Sequence, residues 1–570
     1  MSTLDPVISS GAELIASTLK TQGVEVIFGI VGIPVVEVAE ACVSAGIRFI
    51  GFRNEQSAAY AASVYGFLSG RPGVCLSVGG PGVVHALAGL LNSKINCWPL
   101  VLLSGSCDTD QVDKGAFQEL DQVEACRQYC KYAARPSSVE QIPFVIEKAL
   151  RTAFYGRPGA TYVDLPADFI QYPIRNKQVL ESIQVPKVAN PPKSMADQSN
   201  INQAVELLKN AKNPLIVIGK GAAYARAEKE IGQLVEKTKA PFLPTPMGKG
   251  VLSDTHPLCV SAARSKALKE ADVVLLIGAR LNWILHFGDS PRWSPNVKFI
   301  QIDIAPEELG NNKYTLPLLG DIQLVVSQLS HAIGNLPHLN STYVSGLLDK
   351  VKVNAEKIKQ SGSKGSDDAI LNYQTAFSVI KNTLPEKDIV YVSEGANTMD
   401  IGRSFFDVSE PRHRLDAGTG ATMGVGMGYA IGAQSYYGSS KRVVSIVGDS
   451  AFGFSAMELE TAIRSKLPLL IIVINNNGIY HGLTDDEYQA SQNDGTLPTT
   501  ALSPETRYEM ISQACGGKGW FVKNRVELAA AVKEALDAKD QTCVINVLIA
   551  PGGRSKLDFA WMQKESKARL

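Results

Sequence analysis

The sequence predicts an α/β protein of three doubly wound domains, each with a parallel sheet between layers of helices. Its 570 residues are too many for one hydrophobic core. Short β-branched runs alternate with helix-like segments along the whole chain. Two polar segments, about residues 172–200 and about residues 350–368, interrupt this alternation and are predicted to be linkers. The predicted domains are residues 1–180, 195–345 and 370–550, followed by a tail over residues 551–570.

Composition excludes several function classes. Lys plus Arg and Asp plus Glu both total 56, so no global charge favours a nucleic-acid partner. No apolar segment approaches the length that spans a bilayer, and the N-terminus lacks a secretion signal, so a soluble, non-secreted protein is expected. The nine cysteines include no Cys-x-x-Cys pair and favour a reducing compartment. Cys126 and Cys130 are more consistent with one face of a helix than with a metal site.

A site for a metal ion and a phosphate is predicted in the third domain. Residues 443–447 and 469–474 are apolar runs typical of strands buried on both faces. Between them, residues 455–458 are predicted to be a capping box that opens a helix. Both strands of such a βαβ unit run the same way, so Asp449 and Asn476 are expected at the same edge of the sheet. One carboxylate and one amide oxygen there suit a Mg²⁺ shared with a phosphate.

These residues also resemble a known signature. Taken separately, Gly448-Asp449-Ser450 and the run Asn475-Asn476-Asn477-Gly478 are each typical of turns. In this order and strand context they resemble the signature of thiamine diphosphate enzymes. The resemblance implies that thiamine diphosphate and Mg²⁺ are the cofactors. It places Gly448, Asp449 and Ser450 at the diphosphate, and Asp449, Asn476 and the Gly478 carbonyl on Mg²⁺.

The first domain supplies a second candidate. Residues 53–56 begin a helix rich in small residues. An acidic residue at a helix start usually serves only to cap the helix or to interact with its dipole. Here the context resembles the pyrimidine-binding domain of thiamine enzymes. The resemblance implies that Glu55 hydrogen-bonds N1′ of the aminopyrimidine and acts as a proton relay. The three predicted domains then correspond to a pyrimidine-binding, a central Rossmann-like nucleotide and a diphosphate-binding domain.

A longer resemblance covers essentially the whole chain. It is similar to the 2-hydroxyacyl-CoA lyase and oxalyl-CoA decarboxylase branch, and in particular to lyases of the fungal peroxisomal type. The segments that carry the resemblance are 115–119, 156–159, 219–224, 243–250, 278–283 and 393–397. It implies a homotetramer built from dimers, in which Glu55 serves the cofactor held by Asp449 of the partner subunit.

The same resemblance implies further cofactor contacts. Ala396 and Asn397 correspond to a diphosphate-binding loop. Met423 corresponds to the apolar wedge that bends the cofactor, although an ordinary core methionine is the commoner role of such a residue. Ala421 corresponds to the residue whose carbonyl meets the 4′-amino group, a position where relatives often have glycine.

A second nucleotide site is implied in the middle domain. Arg157, Lys220, Arg280, Asp303 and Ile322 fall where the decarboxylases bind ADP. The cations suit phosphates and Asp303 suits a ribose hydroxyl. Alternatively, Arg280 and Asp303 pair only with each other, and some relatives hold FAD in this domain.

The two reactions of this branch differ in the group that leaves. Oxalyl-CoA loses carbon dioxide, whereas a 2-hydroxyacyl-CoA loses an aldehyde and must give up its hydroxyl proton. At the position where the decarboxylases have a Tyr-Glu pair, this chain has Phe117-Gln118. Neutral Gln118 suits a substrate hydroxyl, and Phe117 leaves room for an alkyl chain. Tyr480 and His481 are candidates for orienting the intermediate or moving its proton, although a histidine beside a loop is more often a surface residue. Arg264 and the tail are candidates for binding CoA.

These observations favour a carbon–carbon lyase of fatty-acid α-oxidation, which cleaves a 2-hydroxyacyl-CoA thioester to formyl-CoA and an aldehyde one carbon shorter. The alternative enzyme is oxalyl-CoA decarboxylase. An alternative of another class is a catalytically inactive scaffold or ADP sensor, which predicts damage at site residues that are intact here. The terminal Ala568-Arg569-Leu570 is similar to the Ser-Lys-Leu peroxisomal address. It predicts the peroxisomal matrix as location and the import receptor as partner.

Overall fold

The computed structural model describes residues 10–171, 173, 183, 185–311, 313, 315–334 and 340–552. They form three sheets whose strands all pair in parallel, flanked by helices, which confirms the predicted fold class. All nine cysteines are free thiols. Within the described ranges, no helix has both the length and the apolar character needed to cross a membrane. The predicted targeting tripeptide Ala568-Arg569-Leu570 lies outside the described residues.

The first domain contains a six-stranded sheet. Its strands are β1 Val26–Gly29, β2 Arg48–Gly51, β3 Gly73–Ser77, β4 Leu100–Ser106, β5 Tyr132–Ala134 and β6 Ala160–Pro166, and its helices are α1 Gly11–Thr21, α2 Val36–Ser44, α3 Glu55–Ser69, α4 Pro81–Asn96, α5 Gln122–Arg127, α6 Ile142–Phe154 and α7 Ala167–Gln171. The strand order is β2-β1-β3-β4-β6-β5. Cys126 lies in α5 but Cys130 follows the end of that helix, so the prediction that the two share a helix face is wrong.

The middle domain contains a five-stranded sheet in the order β11-β10-β9-β7-β8. These strands are β7 Pro214–Ile218, β8 Phe242–Pro244, β9 Val273–Ile277, β10 Lys298–Asp303 and β11 Thr315–Leu319, and the helices are α8 Gln198–Lys209, α9 Lys220–Tyr224, α10 Glu228–Thr238, α11 Arg264–Glu270, α12 Ile322–Ile333 and α13 Ser341–Gly362. Gly219 and Gly278 directly follow β7 and β9.

The third domain contains a six-stranded sheet in the order β13-β12-β14-β15-β17-β16. These strands are β12 Ile389–Glu394, β13 Arg414–Asp416, β14 Arg442–Gly448, β15 Leu470–Asn475, β16 Lys518–Val522 and β17 Cys543–Leu548, and the helices are α14 Tyr373–Thr383, α15 Ala396–Phe405, α16 Gly426–Tyr437, α17 Asp449–Gly453, α18 Glu458–Arg464, α19 Asp485–Asn493, α20 Glu509–Ala514 and α21 Arg525–Asp537. Adjacent pairing of β14 and β15 confirms the predicted βαβ unit.

The two predicted linkers differ in outcome. The second, residues 350–368, is wrong over most of its length because α13 continues through it to Gly362. Leu347 and Val351 of this helix pack on the core of the middle domain, whereas Ile358 packs on that of the third. The helix therefore bridges two domains with a narrow apolar stripe, and its polar surface makes the sequence resemble a linker.

Much of the first predicted linker, residues 172–200, agrees with the structure where it is described. Residues 185–197 contain no helix or strand, and α8 begins at Gln198. This segment hydrogen-bonds to the first domain through Gln22 and to the middle domain through Gln328. It is therefore an ordered connection rather than a free tether.

The predicted capping box at residues 455–458 is wrong. Helix α18 starts at Glu458 without a side-chain cap, and the buried Ser455 hydroxyl has no hydrogen-bond partner among the described residues. Instead, the Glu458 carboxylate accepts the backbone N–H of Arg53 in the first domain at 3.3 Å and the Thr461 hydroxyl at 2.7 Å. A contact distant in sequence therefore replaces the local one, and burial raises the pKa of Glu458 to about 7.

An aromatic cluster joins the three domains. Trp98 stacks on Phe67 with ring centroids 5.0 Å apart, and Phe67 also stacks on Tyr224 of the middle domain. Trp98 also meets Tyr429 of the third domain at 5.3 Å. The faces of all three sheets that point to this cluster share one continuous hydrophobic core.

Trp98 is therefore the residue whose truncation should most weaken the junction. We expect Trp98→Ala to lower the free energy of unfolding by about 3–5 kcal/mol, the usual range for emptying a buried aromatic site. Urea unfolding followed by circular dichroism measures this change. As a control, Phe144→Ala removes an exposed aromatic side chain and should leave stability nearly unchanged. Equal stability of the two variants would contradict the role of the cluster.

Candidate active site

The predicted metal ligands meet at one edge of the third sheet. β12, β14 and β15 are adjacent and parallel, so their carboxyl ends lie side by side. Asp449 directly follows β14, and its Oδ2 accepts the backbone N–H of Gly478 at 3.1 Å. Asn476 follows β15, and its amide donates to the Tyr480 carbonyl at 3.1 Å, which leaves the amide oxygen as an acceptor.

The electrostatics of this edge fit a cation. Asp449 is only 2% exposed and forms no ion pair with any described residue. Burial raises its pKa to about 6, although the backbone N–H groups of Ser450 and Gly478 counteract this. No cluster of three or more His, Cys, Asp or Glu in the described ranges could hold a metal alone. One carboxylate with neutral oxygens therefore suits Mg²⁺ only when phosphate oxygens complete its ligands.

The predicted diphosphate loop lies beside this edge. Ala396 and Asn397 are the first residues of α15, and they follow Gly395, whose φ of 91° is accessible mainly to glycine. The Asn397 amide donates to the same Tyr480 carbonyl at 2.8 Å, so it is tied to the loop that carries Asn476. A helix N-terminus with unsatisfied N–H groups at this place is suited to a phosphate.

The predicted wedge lies in a loop rather than in the core. Met423 precedes α16 and is 37% exposed, so it is not an ordinary core methionine. Ala421 has a φ of 47°, a left-handed conformation that explains why glycine also suits this position. The loop is held by Glu394 at the end of β12, whose carboxylate accepts the backbone N–H groups of Gly424 and Gly426. Burial raises the pKa of Glu394 to about 7.

Glu55 occupies the predicted place at the first position of α3. Asn54 caps this helix by accepting the Gln56 N–H at 2.8 Å. The Glu55 carboxylate is largely buried, and its Oε2 lies 3.1 Å from Nδ1 of His85. Glu55 lies in the first domain, whereas Asp449 lies in the third.

The Phe117-Gln118 loop lies next to the start of α4. Phe117 is 68% exposed, and Gln118 has a left-handed φ of 55°. A Cβ added at Gly80 would lie 2.6 Å from the Gln118 carbonyl oxygen, so this close approach requires glycine. The carboxylate of Glu119 accepts the backbone N–H groups of Gly115 and Ala116, both at 2.9 Å. These contacts fix the loop and present an apolar side chain and a neutral amide.

Tyr480 and His481 belong to the loop that carries Asn476. Tyr480 has a φ of 75°, and its carbonyl accepts both site amides described above. Its ring meets the His481 ring at 5.6 Å. His481 is half-buried, and its Nδ1 is buried without a hydrogen-bond partner among the described residues. The alternative interpretation of His481 as a surface residue is therefore wrong.

All five predicted nucleotide-binding residues line one cavity of about 350 Å³, namely Arg157, Lys220, Arg280, Asp303 and Ile322. The alternative in which Arg280 pairs only with Asp303 is wrong, because Arg280 lies 3.7 Å from Glu308 and the Asp303 carboxylate accepts the Ala305 N–H. Glu308 also pairs with Arg157. Burial lowers the pKa of Lys220 to about 7, and its ammonium donates to Asn96 at 2.7 Å.

Arg264 lines a different and larger groove of about 1200 Å³ between the middle and third domains. Its guanidinium contacts His286 at 3.2 Å and the Ile284 carbonyl. Several cationic side chains share this groove with Arg264: Lys249, Lys357, Lys359, Lys381 and Arg403. Arg403 lies on α15, whose N-terminus carries the predicted diphosphate loop. Six residues of helix span about 9 Å, so the groove reaches the neighbourhood of that loop.

Several residues of this region were not predicted from the sequence. They are His85 beside Glu55, Glu394 beneath the Met423 loop, Glu308 in the cavity and Arg403 in the groove. Glu394 ends a buried strand next to a glycine, which is a usable sequence signal. The other three depend on contacts between separate segments, and nothing local marks them.

Comparison with known proteins agrees with this geometry. Three thiamine pyrophosphate enzyme models match: the N-terminal TPP binding domain at residues 9–125, the central domain at 201–329 and the C-terminal TPP binding domain at 394–547. The chain is 50% identical to 2-hydroxyacyl-CoA lyase 1 of Homo sapiens over 98% of this chain and 97% of that protein. It is 44% identical to 2-hydroxyacyl-CoA lyase of Saccharomyces cerevisiae, covering 96% and 98%. It is 41% identical to oxalyl-CoA decarboxylase of Escherichia coli, covering 95% of each. The chain therefore belongs to the thiamine diphosphate enzymes, in the branch of the 2-hydroxyacyl-CoA lyases and oxalyl-CoA decarboxylases.

Proposed function

We propose that this protein is a Mg²⁺-dependent and thiamine diphosphate-dependent lyase that cleaves a 2-hydroxyacyl-CoA to formyl-CoA and an aldehyde one carbon shorter. The observation that carries this choice over oxalyl-CoA decarboxylation is the fixed loop with Phe117 and Gln118. At these two positions the loop offers a neutral amide rather than a carboxylate to a leaving group, and it provides apolar surface for an alkyl chain. The higher identity to relatives named lyases than to those named decarboxylases supports the same choice.

The residues of this chain have distinct tasks in the proposed reaction. Asp449, Asn476 and the Gly478 carbonyl hold Mg²⁺, and the start of α15 holds the diphosphate. Glu55 of the adjacent chain moves a proton at N1′ of the pyrimidine. Bound thiamine diphosphate supplies the electron sink for breaking the carbon–carbon bond. Gln118 and Phe117 orient the hydroxyl and the alkyl chain of the substrate.

The large groove with Arg264 is the proposed binding site for CoA. Lys249, Lys381 and Arg403 pair with carboxylates, so Arg264, Lys357 and Lys359 are the groove cations proposed to meet the phosphates of CoA. Burial lowers the pKa of Arg264 to about 10, so it remains charged at neutral pH. The groove runs along α15 toward the diphosphate loop. This direction lets a long thioester substrate place its reactive end at the cofactor.

Paired substrates test the proposed reaction. Purified protein with thiamine diphosphate and Mg²⁺ is incubated separately with a 2-hydroxyacyl-CoA and with oxalyl-CoA. We expect aldehyde and formyl-CoA from the first. Absence of aldehyde together with carbon dioxide from oxalyl-CoA would favour the decarboxylase. Calorimetric titration with thiamine diphosphate and Mg²⁺ tests the scaffold alternative, which predicts no heat of binding.

The cavity with Arg157 and Lys220 is proposed to bind ADP. Three cations suit a diphosphate, and Asp303 lies at the end of β10, where a ribose hydroxyl is commonly bound. The Glu308 carboxylate pairs with Arg157 and lies near Arg280, so a bound diphosphate has to displace this carboxylate from both cations.

The pH dependence of ADP binding follows from Lys220. Burial lowers the pKa of Lys220 to about 7, and a bound phosphate should raise it, so binding takes up a proton above pH 7. We therefore expect the affinity for ADP to be highest near pH 7 and to fall, by up to about tenfold per pH unit, between pH 7 and 9. Isothermal titration calorimetry measures it. Lys220→Gln is the matched variant, and it should bind weakly with a flatter profile. An unchanged affinity of the wild-type protein over this range would contradict the prediction.

A homotetramer and a peroxisomal location complete the proposal. The similarity to this branch implies a site shared between subunits, in which Glu55 of one chain serves the cofactor held by the other chain. Light scattering coupled to size exclusion tests this assembly. The terminal Ala568-Arg569-Leu570 supports recognition by the peroxisomal import receptor. A fluorescent fusion at the N-terminus should enter peroxisomes, and the same fusion without the tripeptide should not.

A further inference from the structure

His85 stands next to Glu55 and is not explained by the roles given above. It lies on α4, close to the start of that helix, and its ring is 58% exposed, whereas the Glu55 side chain is 10% exposed. Nδ1 lies 3.1 Å from Oε2 of Glu55. The two side chains therefore form a polar pair in which the histidine is the accessible member.

The two oxygens of Glu55 have different surroundings. Oε2 faces His85, whereas Oε1 lies beside Gly82, where an added Cβ would come within 3.4 Å of it. Oε1 has no hydrogen-bond partner among the described residues, so it is the oxygen left for the pyrimidine. Glu55 is thus able to contact His85 and the pyrimidine at the same time.

The pairing determines the proton positions on His85. A carboxylate only accepts hydrogen bonds, so Nδ1 of His85 carries a proton and Nε2 carries a lone pair when the ring is neutral. Nε2 has no hydrogen-bond partner among the described residues. The exposed ring thus offers a nitrogen lone pair that can accept a proton.

His85 lies near the Phe117-Gln118 loop, which distinguishes the two reactions. Gly80, five residues before it, approaches the carbonyl of Gln118 so closely that an added Cβ would lie 2.6 Å from that oxygen. Glu55, His85 and Gln118 therefore surround one short segment at the start of α4. Gln118 hydrogen-bonds a hydroxyl but does not take its proton at neutral pH.

We propose that His85 is the base that accepts the proton of the substrate 2-hydroxyl, an inference that rests on the proposed lyase function. As the O–H bond breaks, its electron pair becomes the second bond of the aldehyde carbonyl. The electron pair of the C1–C2 bond passes to the thioester carbon, with the cofactor as electron sink. The imidazolium then returns the proton to that carbon, which becomes the C–H of formyl-CoA. Oxalyl-CoA has no such hydroxyl and does not need this base.

His85→Gln tests the proposal because glutamine retains a donor toward Glu55 but is not a base. We expect kcat for aldehyde formation to fall by about 100-fold or more, as for loss of a general base. The exchange of the C2 proton of bound thiamine diphosphate, followed by nuclear magnetic resonance, reports Glu55 and should stay within about threefold of wild type. His85→Ala should regain part of its activity with added imidazole. His331→Gln, at an exposed histidine of α12, is the matched control and should keep both rates.

Each other outcome overturns the inference in a recognisable way. Wild-type kcat in His85→Gln shows that the histidine is not the base. A parallel loss of C2 exchange shows that it acts only by positioning Glu55. If wild-type protein forms no aldehyde, the proposed function itself fails, and the inference fails with it. Thermal melting and cofactor titration of each variant exclude a folding defect as the cause.

Discussion

Glu55→Ala is expected to abolish turnover while the protein keeps its cofactor. The carboxylate lies at the start of α3 in the first domain, whereas the residues proposed to hold the diphosphate and the metal lie in the third. Its loss should therefore remove a proton-transfer group rather than a diphosphate or metal contact. We expect kcat to fall by about 10³-fold or more, near the upper end for a positioned acid–base group. Aldehyde formation measures turnover, and calorimetry measures binding of thiamine diphosphate.

Glu40→Ala is the matched control for this prediction. Glu40 is exposed on α2, and its truncation should leave both turnover and cofactor binding unchanged. Turnover of Glu55→Ala at the wild-type rate would refute the relay role. Loss of cofactor binding in Glu55→Ala would instead place the glutamate among the binding contacts.

Asp449→Asn is expected to lose the cofactor itself. The substitution keeps the shape of the side chain but removes the only carboxylate among the three proposed metal ligands, so the proposed Mg²⁺ site would lose its charged protein ligand. We expect the affinity for thiamine diphosphate with Mg²⁺ to fall by about 100-fold or more. Loss of a group that only hydrogen-bonds to a metal ligand already lowers metal affinity by up to about 100-fold, and a ligand itself should matter at least as much. Calorimetric titration at fixed Mg²⁺ measures the change.

The control for this prediction is Asp540→Asn, which removes a charge from an exposed turn before β17. It should bind the cofactor as the wild-type protein does. Unchanged cofactor affinity in Asp449→Asn would contradict the metal site. The thermal stability of both variants should be compared without cofactor, so that a folding defect is recognised.

The positions of the candidate site residues can be predicted from the sequence where they depend on adjacent residues. Asp449 and Asn476 each come directly after an apolar run, and the parallel order of β14 and β15 alone brings them together. Glu55 follows a residue that caps its helix, so its place is also visible locally. The fold class is predicted for the same reason, because strand and helix patterns are local properties of the chain.

Sequence reasoning fails where a contact comes from a distant segment. Glu458 has the pattern of a capping box, but the backbone of Arg53 competes successfully for its carboxylate. Similarly, Arg280 lies beside Glu308 rather than beside Asp303, its partner in the alternative interpretation. Helix α13 is mistaken for a linker because its apolar residues divide between two domain cores, which weakens the periodic signal.

The cleavage of one labelled bond tests the central claim most directly. A 2-hydroxyacyl-CoA with carbon-13 at its thioester carbon is incubated with wild-type protein, thiamine diphosphate and Mg²⁺. The proposed reaction places all label in formyl-CoA and none in the aldehyde, which is one carbon shorter than the acyl chain. Intact substrate with no aldehyde, under conditions in which oxalyl-CoA releases carbon dioxide, would contradict it.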